Sequence, residues 1–377
     1  MSAAAIAIIA DDLRNSLSSE EEEGLWGAVA GLAAEACEPL RKLTKEQVQY
    51  RPGAVQLSDD RDEGYLNALR DVRLLNDFRF YRAELFRLRD ALQMPEQIRV
   101  PRTGAKFDGF VALLLVLRRL SFPGRWFDLQ DQFAMTEQEL SDLFNTTVDW
   151  LHTQHGHLLL NIAMFEPHFD TYAAAVRARG GPLERCVIFV DGTKLRIAKP
   201  VRFERSTYCG EVRDHALKHQ GGTVPTGIIA HFYGPCSGAC HDSTMMGRSG
   251  FLRAFKKAQR HQRRIFVAYG DPAYRRGQYL YRPFKGRLLS DEQHVFNVRM
   301  SRVRIAVEWS FGKISNLFPF FQMKRAMKVL QAPVSIRFQV AALITNLHTC
   351  LYGCEAARYF GLTTPSLESY LAGQPDA

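Results

Sequence analysis

The chain has 377 residues, 46% of them hydrophobic and 24% charged, with a net charge of +9. That length suits two or three domains, the composition is that of a globular protein, and no apolar run approaches the length of a bilayer span, which argues against a membrane protein. The opening MSAAAIAIIADDLRN lacks the basic flank and long apolar core of a secretory signal, and the seven scattered cysteines do not read as a disulfide framework, so an intracellular, reducing compartment is expected.

Residues 1–70 carry an acidic run at Glu20–Glu23 and several Ala/Gly stretches without a clear period, and read as an extension with some helix. Residues 71–180 read as a helical domain. Val111–Leu120 has apolar residues at helical spacing and stops at Phe122-Pro123-Gly124. A second helix is expected over Trp126–Phe133. After Ala134-Met135, Thr136-Glu137-Gln138-Glu139 forms a capping box that opens a third helix, with Leu140, Leu143, Phe144, Thr147, Val148 and Leu151 on one face. Helix, turn and capped helix is the layout of a helix-turn-helix, although no arginine stands at the start of the third helix to read bases.

At residues 181–350 the period changes. Cys186–Val190 is a continuously apolar run, as in a buried strand, and it ends at Asp191-Gly192-Thr193. Leu195–Ala198 predicts a second strand ending at Lys199-Pro200, and Gly227–Tyr233 a third, before the Gly234-Pro235 break. A basic helix fits Gly250–Arg260, a fourth strand Arg264–Tyr269, and a long helix Ser301–Leu317 with a stripe of Val303, Val307, Phe311 and Ile314. Three strands, helix, strand and helix is a ribonuclease H-like order. The expected class is α/β (α+β overall): a mixed sheet with flanking helices after a helical N-terminal domain, with residues 351–377 as a tail.

Charge is concentrated. Phe251–Arg304 holds fourteen Lys and Arg against three Asp and Glu, a surplus of +11 in 54 residues, interleaved with tyrosines. That mixture suits phosphate contact and base stacking, while a solvated basic helix face is its ordinary explanation. Arg275, Arg276, Arg299, Arg302 and Arg304 are the candidates for positioning DNA phosphates.

The acids carry the chemistry. Asp191 follows the first strand, Asp271 the fourth, and Glu308 lies within the last helix beside its apolar stripe. Carboxylates gathered at strand ends repel one another, and a hard divalent cation such as Mg²⁺ or Mn²⁺ relieves that repulsion. Two such ions can activate a water or 3′-hydroxyl and steady the leaving oxygen at phosphorus. Gly192 and Gly270 beside the aspartates, and Gly312 a turn beyond Glu308, would permit close approach. Singly, each acid has an ordinary reading: Asp191 and Asp271 as turn residues, Glu308 as the partner of Arg304 four residues before it.

Two other groups could bind metal. Cys236, Cys240 and His241, if brought to His348, Cys350 and Cys354, could ligate a structural Zn²⁺; buried thiols are the alternative. His215 and His219 stand at i and i+4 on a candidate helix, where a structural or phosphate-contact role is expected.

From about Phe78 to Gly353 the chain resembles a Harbinger-type transposase with a DDE superfamily endonuclease domain. The resemblance is carried by Val190–Pro200, Tyr208–Gln220, Phe232–Pro235 with His241-Asp242-Ser243, Gly270–Tyr274, Phe296–Lys313 and Asn346–Gly353. It implies a ribonuclease H-like fold, cut-and-paste DNA transposition with Mg²⁺ or Mn²⁺, and a triad of Asp191, Asp271 and Glu308 with Asp242 as a further acidic ligand. It also implies a nuclear location, a Myb-like helper protein and a homo-oligomer on DNA. Glu211 and Asp214 depart from the pattern, standing where such proteins usually carry basic residues. Two rival readings share the fold: a domesticated DNA-binding protein that no longer cuts, and a nuclease for RNA or repair intermediates.

Overall fold

A computed structural model describes Leu66 and residues 70–329 and 331–374. The expected extension over residues 1–70 falls almost wholly outside them. The chain divides into two compact units, Met1–Leu151 with Phe318–Arg337, and His152–Leu317 with Phe338–Ala377. The class is mixed α/β with one mixed six-stranded sheet and many helices. Among the described residues no helix is long and apolar enough to cross a membrane.

In the first unit, helices α1 (Asp71–Phe78) and α2 (Arg82–Ala91) precede a short antiparallel hairpin, β1 (Gln97–Arg99) and β2 (Lys106–Asp108). Helix α3 (Gly109–Ser121) starts where the Asp108 carboxylate accepts the Val111 N–H at 2.9 Å, and its Phe110–Leu117 run is buried all round. Helix α4 (Phe127–Phe133) ends at Ala134 in the left-handed region, φ 50°. Helix α5 (Glu137–His155) then opens with the expected box: Thr136 N donates to Glu139 Oε2 at 3.0 Å, and Glu139 N to Thr136 Oγ1 at 3.2 Å. The six expected apolar-face residues of α5 are all buried. α5 contains no Lys or Arg, and its basic residues are His152 and His155 in the last turn.

The second unit begins at His152, earlier than the sequence boundary near residue 180. Helix α6 (Phe169–Ala178) belongs to it because Phe169 packs edge-on to Phe255 and Phe266. Its sheet contains β3 (Cys186–Arg196), β4 (Tyr208–Cys209), β5 (Asp214–Thr223), β6 (Ile229–Ser237), β7 (Val267–Gly270) and β8 (Leu280–Tyr281). The order is β4-β5-β3-β7-β8, with β6 also on β5; β3 is antiparallel to β5 and parallel to β7, and β7 is parallel to β8.

Several expected elements change. The two strands around Asp-Gly-Thr are one strand, because β5 pairs with it from Phe189↔Thr223 to Arg196↔Ala216 and satisfies the backbone that a turn would have served. β5 itself replaces the candidate helix of His215 and His219. It is buried along nearly its whole length, so it lacks the alternation that marks a half-exposed strand. β6 runs through Gly234-Pro235 to Ser237, and the long helix, α9, starts at Asp291 and spans 27 residues to Leu317. Between β6 and β7 lie α7 (Asp242–Arg248) and α8 (Phe251–Ala258).

After α10 (Val334–Tyr352), the expected tail instead forms α11 (Glu355–Phe360) and α12 (Leu367–Ala372). Phe360 stacks on Phe189 of β3 at 6.1 Å, and buried Tyr370 takes a 2.8 Å hydrogen bond from Asn346. Asn346 also clips β6, accepting the Ile229 N–H and donating to the Ile229 carbonyl, each at 2.9 Å.

Candidate active site

The parallel strands β3 and β7 stay in register up to Val190↔Gly270, and the next residue on each is an aspartate, Asp191 and Asp271. The apolar segment Cys186–Val190 anchors this point by complete burial. Gly270 is required here: a Cβ would lie 2.6 Å from the ring of buried Tyr274, which closes the loop after β7. Asp271 is held by that loop, its Oδ1 accepting the Ala273 N–H at 2.6 Å. Asp191 Oδ1 accepts the Gly192 N–H at 2.9 Å.

The third acid arrives on α9. A Cβ on Gly221 would lie 2.6 Å from the Phe311 ring, so this glycine admits the helix onto β5 opposite Asp191. Gly312 faces open space, and a Cβ on Gly192 would make only ordinary contact, so neither is required by the packing of the chain itself. Arg304 joins two of the acids. Its Nη1 donates to Asp191 Oδ2 and its Nη2 to Glu308 Oε1, each at 2.8 Å. The ordinary reading of Glu308 as the partner of Arg304 therefore holds in this state. Its side chain is 52% exposed, against 21% for that of Asp191.

Asp242 opens α7 beside this group, its Oδ1 3.6 Å from where a Cβ on Gly192 would sit. Lys218 of β5 pairs with Asp242 at 3.3 Å and donates to the Cys240 carbonyl at 2.8 Å. Gln220, two residues along, donates to the Tyr274 hydroxyl at 3.2 Å. Burial pushes the Tyr274 phenol pKa up, and Asp242, Asp191 and Asp271 all add to the rise, which puts three acids within electrostatic reach of one ring. Burial likewise raises the Asp191 carboxyl pKa; Arg304 pulls against it and Asp271 adds to it.

The acids converge without yet forming a cage. Among the described residues no three His, Cys, Asp or Glu side chains stand close enough to hold a metal ion. Arg304 instead pairs with Glu308, and Lys218 with Asp242. The donors are nonetheless all carboxylate oxygens, and Arg304 offsets only part of the cost of burying Asp191. That is the chemistry a hard divalent cation fits.

Of the expected phosphate contacts, Arg275, Arg299 and Arg302 are exposed, and Arg276 lies 4.9 Å from the centre of the Tyr281 ring. Arg304 is committed to the carboxylates. The departing acids serve local ends: Glu211 pairs with Lys194, and Asp214 accepts the His215 N–H. The zinc constellation is not assembled. Cys236 and Cys240 pack with Met245 near the far end of β6, while Cys354 caps α11 against the Thr226 carbonyl before that strand begins. Lys218 and Gln220 were missed as site residues. No sequence signal marked them, because the polar run Asp214–Thr223 is buried only by tertiary packing.

Residues 190–350 match the family model described as DDE superfamily endonuclease. No curated protein and no solved structure is similar enough to the chain to count as a match.

Proposed function

We propose that this protein is a DDE transposase of Harbinger type that cuts DNA at transposon ends and joins the freed 3′-hydroxyl to target DNA. The observation that carries the reading is the register of β3 and β7, which ends with Asp191 and Asp271 on adjacent parallel strands. Strand order supports a ribonuclease H-like fold: β3, β5 and β6 are successively antiparallel, with β7 and β8 parallel on the other side of β3.

Asp191, Asp271 and Glu308 would hold Mg²⁺ or Mn²⁺, with Asp242 as a further acidic ligand. Bound there, such ions supply Lewis-acid charge for in-line displacement at phosphorus. A water oxygen attacks phosphorus and the bond to the 3′-oxygen breaks, leaving a 3′-hydroxyl; that hydroxyl then attacks the phosphorus of a target phosphodiester, whose own 3′-oxygen leaves as a new 3′-hydroxyl. Arg275, Arg299 and Arg302 orient backbone phosphates. Arg304 keeps Asp191 and Glu308 apart from other cations until it is displaced. The protein acts in the nucleus as an oligomer on DNA, with a Myb-like helper supplying the sequence reading for which α5 lacks Lys and Arg.

The test is nicking of supercoiled plasmid with Mn²⁺, alongside thermal unfolding with and without the ion. Wild-type protein should nick, Asp191→Asn should not, and only the wild type should gain stability, by about 2.7 kcal/mol at a hundredfold excess over Kd. The Arg304 bridge favours one second reading, a domesticated DNA-binding protein whose guanidinium permanently fills the site. DNA binding without nicking or metal stabilisation would select it.

A further inference from the structure

The basic stretch is not all directed at the carboxylates. Arg253, Lys256 and Lys257 on α8, Arg260 just beyond it and Arg264 before β7 line, together with Tyr279, a cleft of about 520 Å³ that no acid lines. Local sequence produces it. Phe251 and Phe255, at i and i+4, are buried, which leaves Arg253, Lys256 and Lys257 on the outward face. The cleft is also braced. Buried Gln259 accepts the Phe266 N–H at 2.8 Å and donates to the Phe266 carbonyl at 3.3 Å, tying the end of the helix to the start of the strand.

The ordinary account, a solvated helix face, explains only part of this. Lysines in a last turn are favoured by the helix dipole, which covers Lys256 and Lys257. It does not cover Arg253, which repels Lys257 at i+4, nor Arg260 and Arg264 converging from outside the helix. Lys194, Lys199, Lys218 and Arg304 each hold a carboxylate. Among the described residues no carboxylate pairs with these five cations, and Arg260 donates only to the ring of its neighbour His261, at 2.8 Å. Convergent, uncompensated cations in a braced cleft are suited to an extended polyanion.

Position determines what the cleft can do. Arg264 precedes β7 and Asp271 follows it. At about 3.3 Å per residue, the cleft and the carboxylates lie at least about 10 Å apart, at opposite ends of this strand. A phosphate in the cleft is therefore not the one that is cut. We propose that the cleft is a second nucleic-acid contact, gripping backbone phosphates of duplex DNA away from the reacting bond. Long cationic side chains with no carboxylate partner contact phosphate and carry no sequence reading. This rests on DNA being the substrate and adds where else the protein holds it.

The test is fluorescence anisotropy of a labelled duplex with full-length protein, in EDTA to prevent cleavage, across a salt series. K256Q/K257Q/R260Q should weaken binding and lower the slope of log affinity against log salt by about 1 for each cation removed. Its Mn²⁺-dependent thermal shift should match that of the wild type, reporting an intact carboxylate end. Arg264→Gln alone, losing about one unit of slope, serves should the triple variant not fold. Equal slopes for wild type and variants overturn the cleft, whether or not the wild type nicks plasmid. A wild type that never nicks, paired with a variant that loses slope, leaves the cleft standing and removes the transposase reading. Loss of binding to phosphatidylserine vesicles with DNA binding unchanged would overturn DNA as the occupant.

Discussion

The two ends of β7 treat charge in opposite ways. At the Asp271 end, negative groups are drawn together and answered internally, Asp191 and Glu308 by Arg304 and Asp242 by Lys218. At the Arg264 end, five cations converge with no acid lining their cleft. Internal answers lower the cost of gathering these groups, since bare carboxylates at one point of a sheet repel and are costly to bury. A surface cleft carries no such penalty, because water and salt screen it. The Asp271 end is thus answered in part within the chain, and the Arg264 end is left open.

The strongest break of that contrast is removal of an acid. Asp191→Asn and Asp271→Asn should each drop plasmid nicking below detection. Asp191→Asn should leave the metal-free melting temperature unchanged or raised, because it removes a charge whose burial is only partly offset. A variant that still nicks at the wild-type rate would dismiss the triad.

Acid probes the sheet beneath the site. Burial lowers the His219 pKa to about 3 and the His231 pKa to about 4. Between pH 6.5 and those values the unfolded chain binds protons that the folded one refuses, so stability falls as pH falls. For His231 alone the loss is on the order of 3 kcal/mol by pH 4. Urea unfolding from pH 7 to pH 4 should show it, with His231→Gln flattening the profile; parallel profiles would refute a neutral buried histidine.

Arg304→Ala sharpens the comparison directly. It strips the counter-charge from Asp191 and Glu308 and should cost about 1–3 kcal/mol, between exposed and fully buried ion pairs. The Mn²⁺-induced rise in melting temperature should grow, since the ion no longer competes with a guanidinium. An unchanged metal response would mean that Arg304 does not guard the site. The smallest effect belongs to the cleft, where K256Q/K257Q/R260Q should change stability by less than about 1 kcal/mol in calorimetry. A larger loss would make these cations structural.

Much of the site was legible because its signals are local. A completely apolar pentapeptide followed by Asp191, a short strand followed by Asp271 and an amphipathic helix holding Glu308 each show within a few residues. The Thr136–Glu139 box is legible for the same reason, since its hydrogen bonds close within one turn. Asp-Gly-Thr misled because turn chemistry and strand chemistry compete there, and the winner depends on β5 arriving from twenty-odd residues downstream. β5 was hidden by its burial, which erases alternation, and by His215 and His219, whose spacing also satisfies a helix.

The buried apolar run before Asp191, the capped helix after Thr136 and the concentration of positive charge were legible in the amino-acid sequence alone, because period, turn residues and charge are properties of neighbours in the chain. Only the tertiary structure decided that Arg304 lies between Asp191 and Glu308, that Lys218 holds Asp242, and that the basic stretch divides between the two ends of β7. Those outcomes depend on which distant segments share a strand edge or a helix face, and on where burial removes the water that would otherwise have answered each charge.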